Sequence, residues 1–71
     1  MQVFELTPTN GRKSFGGKAK VIVENNVAKC LSYETIVAEY DIENSIFSLN
    51  GIMFSKTTNS HINAFKDYYG I

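Results

Sequence analysis

Phe54-Ser-Lys-Thr-Thr-Asn-Ser-His-Ile-Asn-Ala-Phe-Lys-Asp-Tyr-Tyr69 carries the change of period that decides the fold: a strand-like run gives way, through hydroxyls and an amide, to apolar residues at helical spacing. A hydroxyl side chain just before such a pattern is how a helix start is written, because its oxygen satisfies a backbone N–H left without a partner. Thr57 or Thr58 is expected as the cap. Ile62, Phe65 and Tyr69 form the apolar stripe, and Gly70 follows as a stop.

Working back from the helix, everything before it reads as strand and turn. Ile46–Leu49 and Ile52–Ser55 flank Asn50-Gly51, a hairpin dipeptide or, within one longer strand, a glycine bulge. Asp41–Ser45 is a turn. Upstream, the apolar alternation changes phase between Leu31 and Ile36, and a bulge or bend at Ser32-Tyr33-Glu34 would absorb the slip before a strand over Thr35–Tyr40. Lys18–Glu24 is the clearest strand, and Asn25-Asn26 tolerates the positive φ of a type I′ turn, so Val27–Leu31 is expected to return antiparallel. Val3–Leu6 is a short first strand, ended by the turn formers Thr7–Gly11. The expected architecture is α+β: an antiparallel sheet of four to six strands followed by one C-terminal helix packed on one face, in a single domain spanning residues 1–71.

A chain of 71 residues is near the size at which one core is only just sufficient. One helix covers one sheet face, and the other must be solvated, shared or used. A homodimer covering Ile22 and Leu31 is therefore expected. No apolar run approaches the roughly 20 residues of a membrane helix, and Met1–Glu5 has no signal-peptide character, so the expected location is cytoplasmic. The lone Cys30 sits in an alternating apolar run, where a small buried thiol is expected.

Net charge is zero, but the chain is polarised along its length. Residues 12–30 carry Arg12, Lys13, Lys18, Lys20 and Lys29 against Glu24, which is +4; residues 31–71 carry two lysines against five carboxylates, which is −3. In the hairpin register set by Asn25-Asn26, Lys18, Lys20 and Lys29 share a face with Ile22 and Leu31. Arg12 and Lys13 enter from the adjoining loop, and Tyr33 joins them if the bend allows. Cations interleaved with an aromatic on an open sheet suit a single strand of DNA or RNA, the cations meeting phosphates while the ring stacks on bases. The plain alternative is a solvated face on which lysines deter edge pairing.

A second candidate is the helix start, where Lys56, Thr57 and Thr58 stand beside free N–H groups that favour a phosphate. Capping alone also explains the threonines. No Gly-rich approach ends in Gly-Lys-Ser/Thr, which excludes a nucleotide-hydrolysing P-loop. His61 is the only histidine and reads as a packed helix residue. No His/Cys/carboxylate set has metal-ligand spacing, and no acid/base pair or nucleophile set is visible, so neither a metal, a cofactor nor an enzymatic activity is expected.

Three segments, Lys13–Ile22, Ser32–Ala38 and Asn50–Phe65, together resemble an uncharacterised family of small proteins from phages and mobile elements of gut and lactic-acid bacteria, and they span most of the chain. The family pattern usually has an aromatic where this chain has Gly16, a Trp-Tyr pair where it has Met53-Phe54, and an Arg where it has Ser60. Loss of that basic residue beside His61 weakens the phosphate reading. The resemblance implies a phage or prophage setting and no particular activity. Two functions of different class follow: a nucleic-acid-binding accessory protein using the basic face, or an interaction protein that inhibits or redirects a host factor, of anti-defence type.

Overall fold

A computed structural model describes residues 1–8 and 14–71. It shows five antiparallel strands in one open sheet followed by a single helix. The strands are β1 (Gln2–Glu5), β2 (Ala19–Glu24), β3 (Val27–Ser32), β4 (Thr35–Asp41) and β5 (Ile46–Leu49), paired in sequence order as a meander, and α1 spans Lys56–Tyr69. The helix lies over β3.

The β2–β3 hairpin follows from its turn. Asn25 and Asn26 both take positive φ (53° and 63°), as a two-residue type I′ turn requires. The register then pairs Val21 with Cys30 and Val23 with Ala28. This parity sends Ala19, Val21, Ala28, Cys30 and Ser32 into the core under α1. The opposite parity leaves Lys20, Ile22, Val27, Lys29 and Leu31 on the open face.

The phase slip between Leu31 and Ile36 has two parts. Tyr33 and Glu34 form a tight turn that makes β3 and β4 a hairpin, with Tyr33 at a φ of 57°. The register shift itself falls where Cys30 pairs with Ala38 but Leu31 pairs with Ile36, so Val37 is the extra residue. A bulge of this kind buries Val37 with its neighbour Ala38. It also leaves Ile36 on the open face beside Leu31, instead of beneath the helix as a simple core strand would have it.

The hairpin expected at Asn50-Gly51 does not form. Neither residue adopts the positive φ a type I′ turn demands. Asn50 ends β5 by tying back to β4, its Nδ2 donating to the Glu39 carboxylate (3.0 Å) and more weakly to the Ile36 carbonyl (3.4 Å). The Phe54 ring folds over Gly51, where a Cβ would lie 3.0 Å from the ring, and packs against the core. Residues 52–55 therefore lead to the helix outside the sheet.

The helix begins one residue before the threonines expected to cap it. Ser55 is the N-cap, its Oγ accepting the Thr58 N–H at 3.1 Å. At the other end Gly70 adopts left-handed geometry, and the Gly70 and Ile71 N–H groups reach Asp67 and Lys66 carbonyls, closing a Schellman motif. Ile62 and Phe65 enter the core with Val21, while Val23, Phe47, Phe54 and Tyr69 pack around it.

Candidate functional site

Strand pairing decides what surrounds the cations. On the open face Lys20 stands directly opposite Glu5, and Lys29 directly opposite Glu39. The same face carries Glu24 and Asp41, whose pKa is lowered by hydrogen bonds from the Asn44 side chain and backbone. Between these charges lie Ile22, Val27, Leu31 and Ile36, all half-buried, with Val3 and Ile46 more exposed toward the two edges. The face is thus an apolar strip with charges of both signs.

Lys18 and Tyr33 lie apart from this strip, at the end of the sheet where α1 begins. The Tyr33 N–H donates to the Lys18 carbonyl (2.8 Å), and the Lys18 ammonium sits 5.9 Å from the Tyr33 ring centre. The ring leans toward His61 (5.7 Å between centroids), so the bend carries Tyr33 around to the helix end instead of leaving it beside Lys20 and Lys29. An aromatic residue at positive φ costs roughly 1–2 kcal/mol of backbone strain, and the surrounding contacts hold it there. Arg12 and Lys13 lie outside the described residues.

The two sequence candidates meet at this end. Lys56 opens α1 and Thr57 is exposed, but Thr58 turns inward. Its hydroxyl oxygen lies 3.1 Å from both Ser55 Oγ and Ser32 Oγ, and Ser32 Oγ lies 2.8 Å from His61 Nδ1. Ser55 donates to Thr58. Between Thr58 and Ser32 either hydroxyl can donate, and the direction of the Ser32–ring contact follows the tautomer of His61. Burial pulls the His61 pKa down, which favours the neutral ring.

Phe15 closes over His61 edge-on at 4.5 Å. A serine 2.8 Å from an imidazole is nucleophile–base geometry, but Ser32 and His61 are 2% and 1% exposed, so the pair holds the helix to β3 and meets no substrate in this state. Ser32 escaped the sequence reading as a partner of His61, although it extends the inward parity of Ala28 and Cys30. The Cys30 thiol is pushed up to about 12 by burial, which makes it inert at neutral pH. Among the described residues no group of three His, Cys, Asp or Glu side chains is placed to hold a metal ion, and no helix is long and apolar enough to cross a membrane.

The sheet and its surfaces define a small α+β protein with one face closed by a helix and the other open. Within that class, the chain belongs to the family of unknown function DUF8033, whose model matches residues 4–70. No curated protein and no solved structure matches it.

Proposed function

We propose that the protein is a non-enzymatic docking module whose open sheet face binds a partner protein presenting apolar side chains ringed by basic groups. The observation that carries this reading is the cross-strand charge pattern. Four carboxylates, Glu5, Glu24, Glu39 and Asp41, outnumber Lys20 and Lys29 around the aliphatic strip, leaving the face at 2 − 4 = −2. An apolar centre with a mixed polar rim is the anatomy of a protein interface, and a negative balance repels phosphates. The resemblance to phage and mobile-element proteins supplies a setting, in which the module acts in the cytoplasm of a bacterial cell to inhibit or redirect a host factor.

A second reading, weak binding of single-stranded nucleic acid, is favoured by the Lys18–Tyr33 pair at the helix end. A half-exposed ring beside an ammonium suits base stacking and phosphate contact together. Arg12 and Lys13 would add cations from the segment preceding Lys18 in sequence, and at the helix start Lys56 would add another, with the Thr57 hydroxyl as a phosphate donor. Lys20 and Lys29 contribute less to this reading, since each faces a carboxylate.

Two measurements separate the readings. Affinity capture from native cells is compared between the wild type and an Ile22→Glu/Leu31→Glu variant that retains its circular dichroism. A partner held by the wild type and lost by the variant supports docking through the open face; a partner held equally by both overturns it. Fluorescence anisotropy with a labelled single-stranded oligonucleotide at low salt tests the second reading. If three or four cations meet phosphates, log K against log salt should slope at roughly −2 to −3. No binding at tens of micromolar, or binding indifferent to Lys18→Glu with Tyr33→Ala, rejects it.

A further inference from the structure

The two edges of the sheet are not alike. At one edge, β1 carries Glu5 and is followed closely by Pro8, both of which discourage another strand from pairing. At the other, β5 carries no charge at all. It lies inside residues 44–55, the longest uncharged run in the chain, whereas each of the other four strands carries at least one charged side chain. Four exposed apolar side chains gather in and just past it: Ile46 and Leu49 are 59% and 49% exposed, and Ile52 and Met53, beyond the strand, are 98% and 91% exposed, whereas β1 exposes Val3 and, just before it, Met1. A patch of this kind, next to an uncovered strand, is what monomeric proteins seldom leave open.

Backbone geometry shows what the edge would accept. The Asn50 N–H donates to the Val37 carbonyl, so by antiparallel alternation Ile46, Ser48 and Asn50 bond inward to β4. Phe47 and Leu49 therefore turn their N–H and C=O groups outward. A strand that satisfies both residues must offer its own outward groups at the same two-residue spacing. A second copy of β5, antiparallel about a twofold axis through Ser48, does so: Phe47 of each copy faces Leu49 of the other, and every outward N–H and C=O of the two residues finds a partner.

We propose that the protein forms a homodimer by antiparallel pairing of β5 with β5 of a second copy, making one continuous sheet with both helices on the same side. β5 itself brings no charge to the contact, the Lys66 ammonium lying 5.4 Å from the Phe47 ring centre on the helix side, and a chain of this size gains the burial it lacks. On the helix side Phe47 packs beside Leu49 of the other copy, and on the open side the two Ser48 hydroxyls face each other. The two open faces then lie side by side, so the edge contact adds to the docking surface proposed above without covering it.

Sedimentation equilibrium of the full chain at tens of micromolar tests the pairing, with Leu49→Lys as the disrupting variant. Leu49 is exposed, so its circular dichroism should be unchanged, while the dimer dissociation constant should rise at least tenfold. Ser48→Cys provides an independent readout. Residues facing each other in a non-hydrogen-bonded pair have Cα atoms about 4.5 Å apart, within disulfide reach, so mild oxidation should give a covalent dimer. Thr57→Cys on the exposed helix start should not. Cys30 is buried and does not compete. A wild type that remains monomeric, or a dimer unaffected by Leu49→Lys and not cross-linked through Ser48→Cys, overturns the proposal.

Discussion

Replacing Ser32 with alanine should expose how much of the fold rests on the hydroxyl chain at the helix start. The Ser32 Oγ bridges Thr58 and the His61 ring, at 3.1 Å and 2.8 Å. Removing it leaves His61 Nδ1, buried beneath Phe15, without its hydrogen-bond partner. It also removes the Thr58 hydroxyl's contact with β3. A buried polar group left unmatched costs about 1–3 kcal/mol. In a chain of this length that loss corresponds to a fall in Tm of roughly 5–20 °C.

The pH dependence supplies the control. Burial lowers the pKa of folded His61 below its unfolded value of 6.5, so the unfolded chain binds more protons once the pH falls below about 6.5. His61 therefore contributes stability that is fully present above that pH and is lost progressively as the pH drops toward the lowered folded value. Urea unfolding between pH 7 and pH 5 should show this decline in the wild type, and His61→Phe should flatten it. Asp41, whose pKa is also lowered, titrates below this window. In the Ser32→Ala/His61→Phe double variant, the Ser32 penalty should shrink, because no unmatched ring nitrogen remains. A Ser32→Ala cost below about 0.5 kcal/mol would refute the buried bridge, and a pH slope unchanged by His61→Phe would refute the assignment of the decline to His61.

Three further outcomes follow from the core. Phe65 is fully buried, so Phe65→Ala should cost roughly 3–5 kcal/mol in urea unfolding, and a loss below about 1 kcal/mol would mean that the helix is held elsewhere. Cys30 should resist a thiol reagent at pH 8 until denaturant is added, because a pKa of about 12 leaves roughly one thiol in ten thousand ionised; prompt labelling of the native protein would contradict its burial. Gly17 has a φ of +75° and approaches the flexible end of Glu5, so Gly17→Ala should cost about 1 kcal/mol, chiefly as backbone strain measurable by the same unfolding assay.

Local chemistry made the β2–β3 hairpin legible. Two asparagines that tolerate positive φ, flanked by alternating apolar residues, contain all the information needed to place Lys20 opposite Leu31 and to bury Cys30. The same dipeptide logic failed at Asn50-Gly51, because the outcome there depends on partners elsewhere. Asn50 has Glu39 and Ile36 to bind, and Phe54 has a core to enter, so the chain leaves the sheet where the local signal would turn it back. Tyr33 is a third case. Its place beside Lys18 was open from the sequence, but its contact with His61 depends on a helix that starts more than twenty residues later.

The candidate site was hardest to read where charge was concerned, and the reason lies in the topology. The sequence puts its cations early and its carboxylates late, which suggests a basic hairpin. A meander, however, pairs each strand with the next, so the last strand of the basic segment meets the first strand of the acidic one. Lys29 thereby acquires Glu39, and β1 brings Glu5 to Lys20 from the other side. Polarity along the chain is thus lost across the sheet, where Lys20 and Lys29 each meet a carboxylate and the carboxylates are in excess. Lys18 beside Tyr33 lies at an end of the sheet outside this pairing, and among the described strands only β5 has no charges to cancel. These two departures from the sheet's cross-strand charge pairing are therefore where a phosphate and a second copy, respectively, would meet the least opposition.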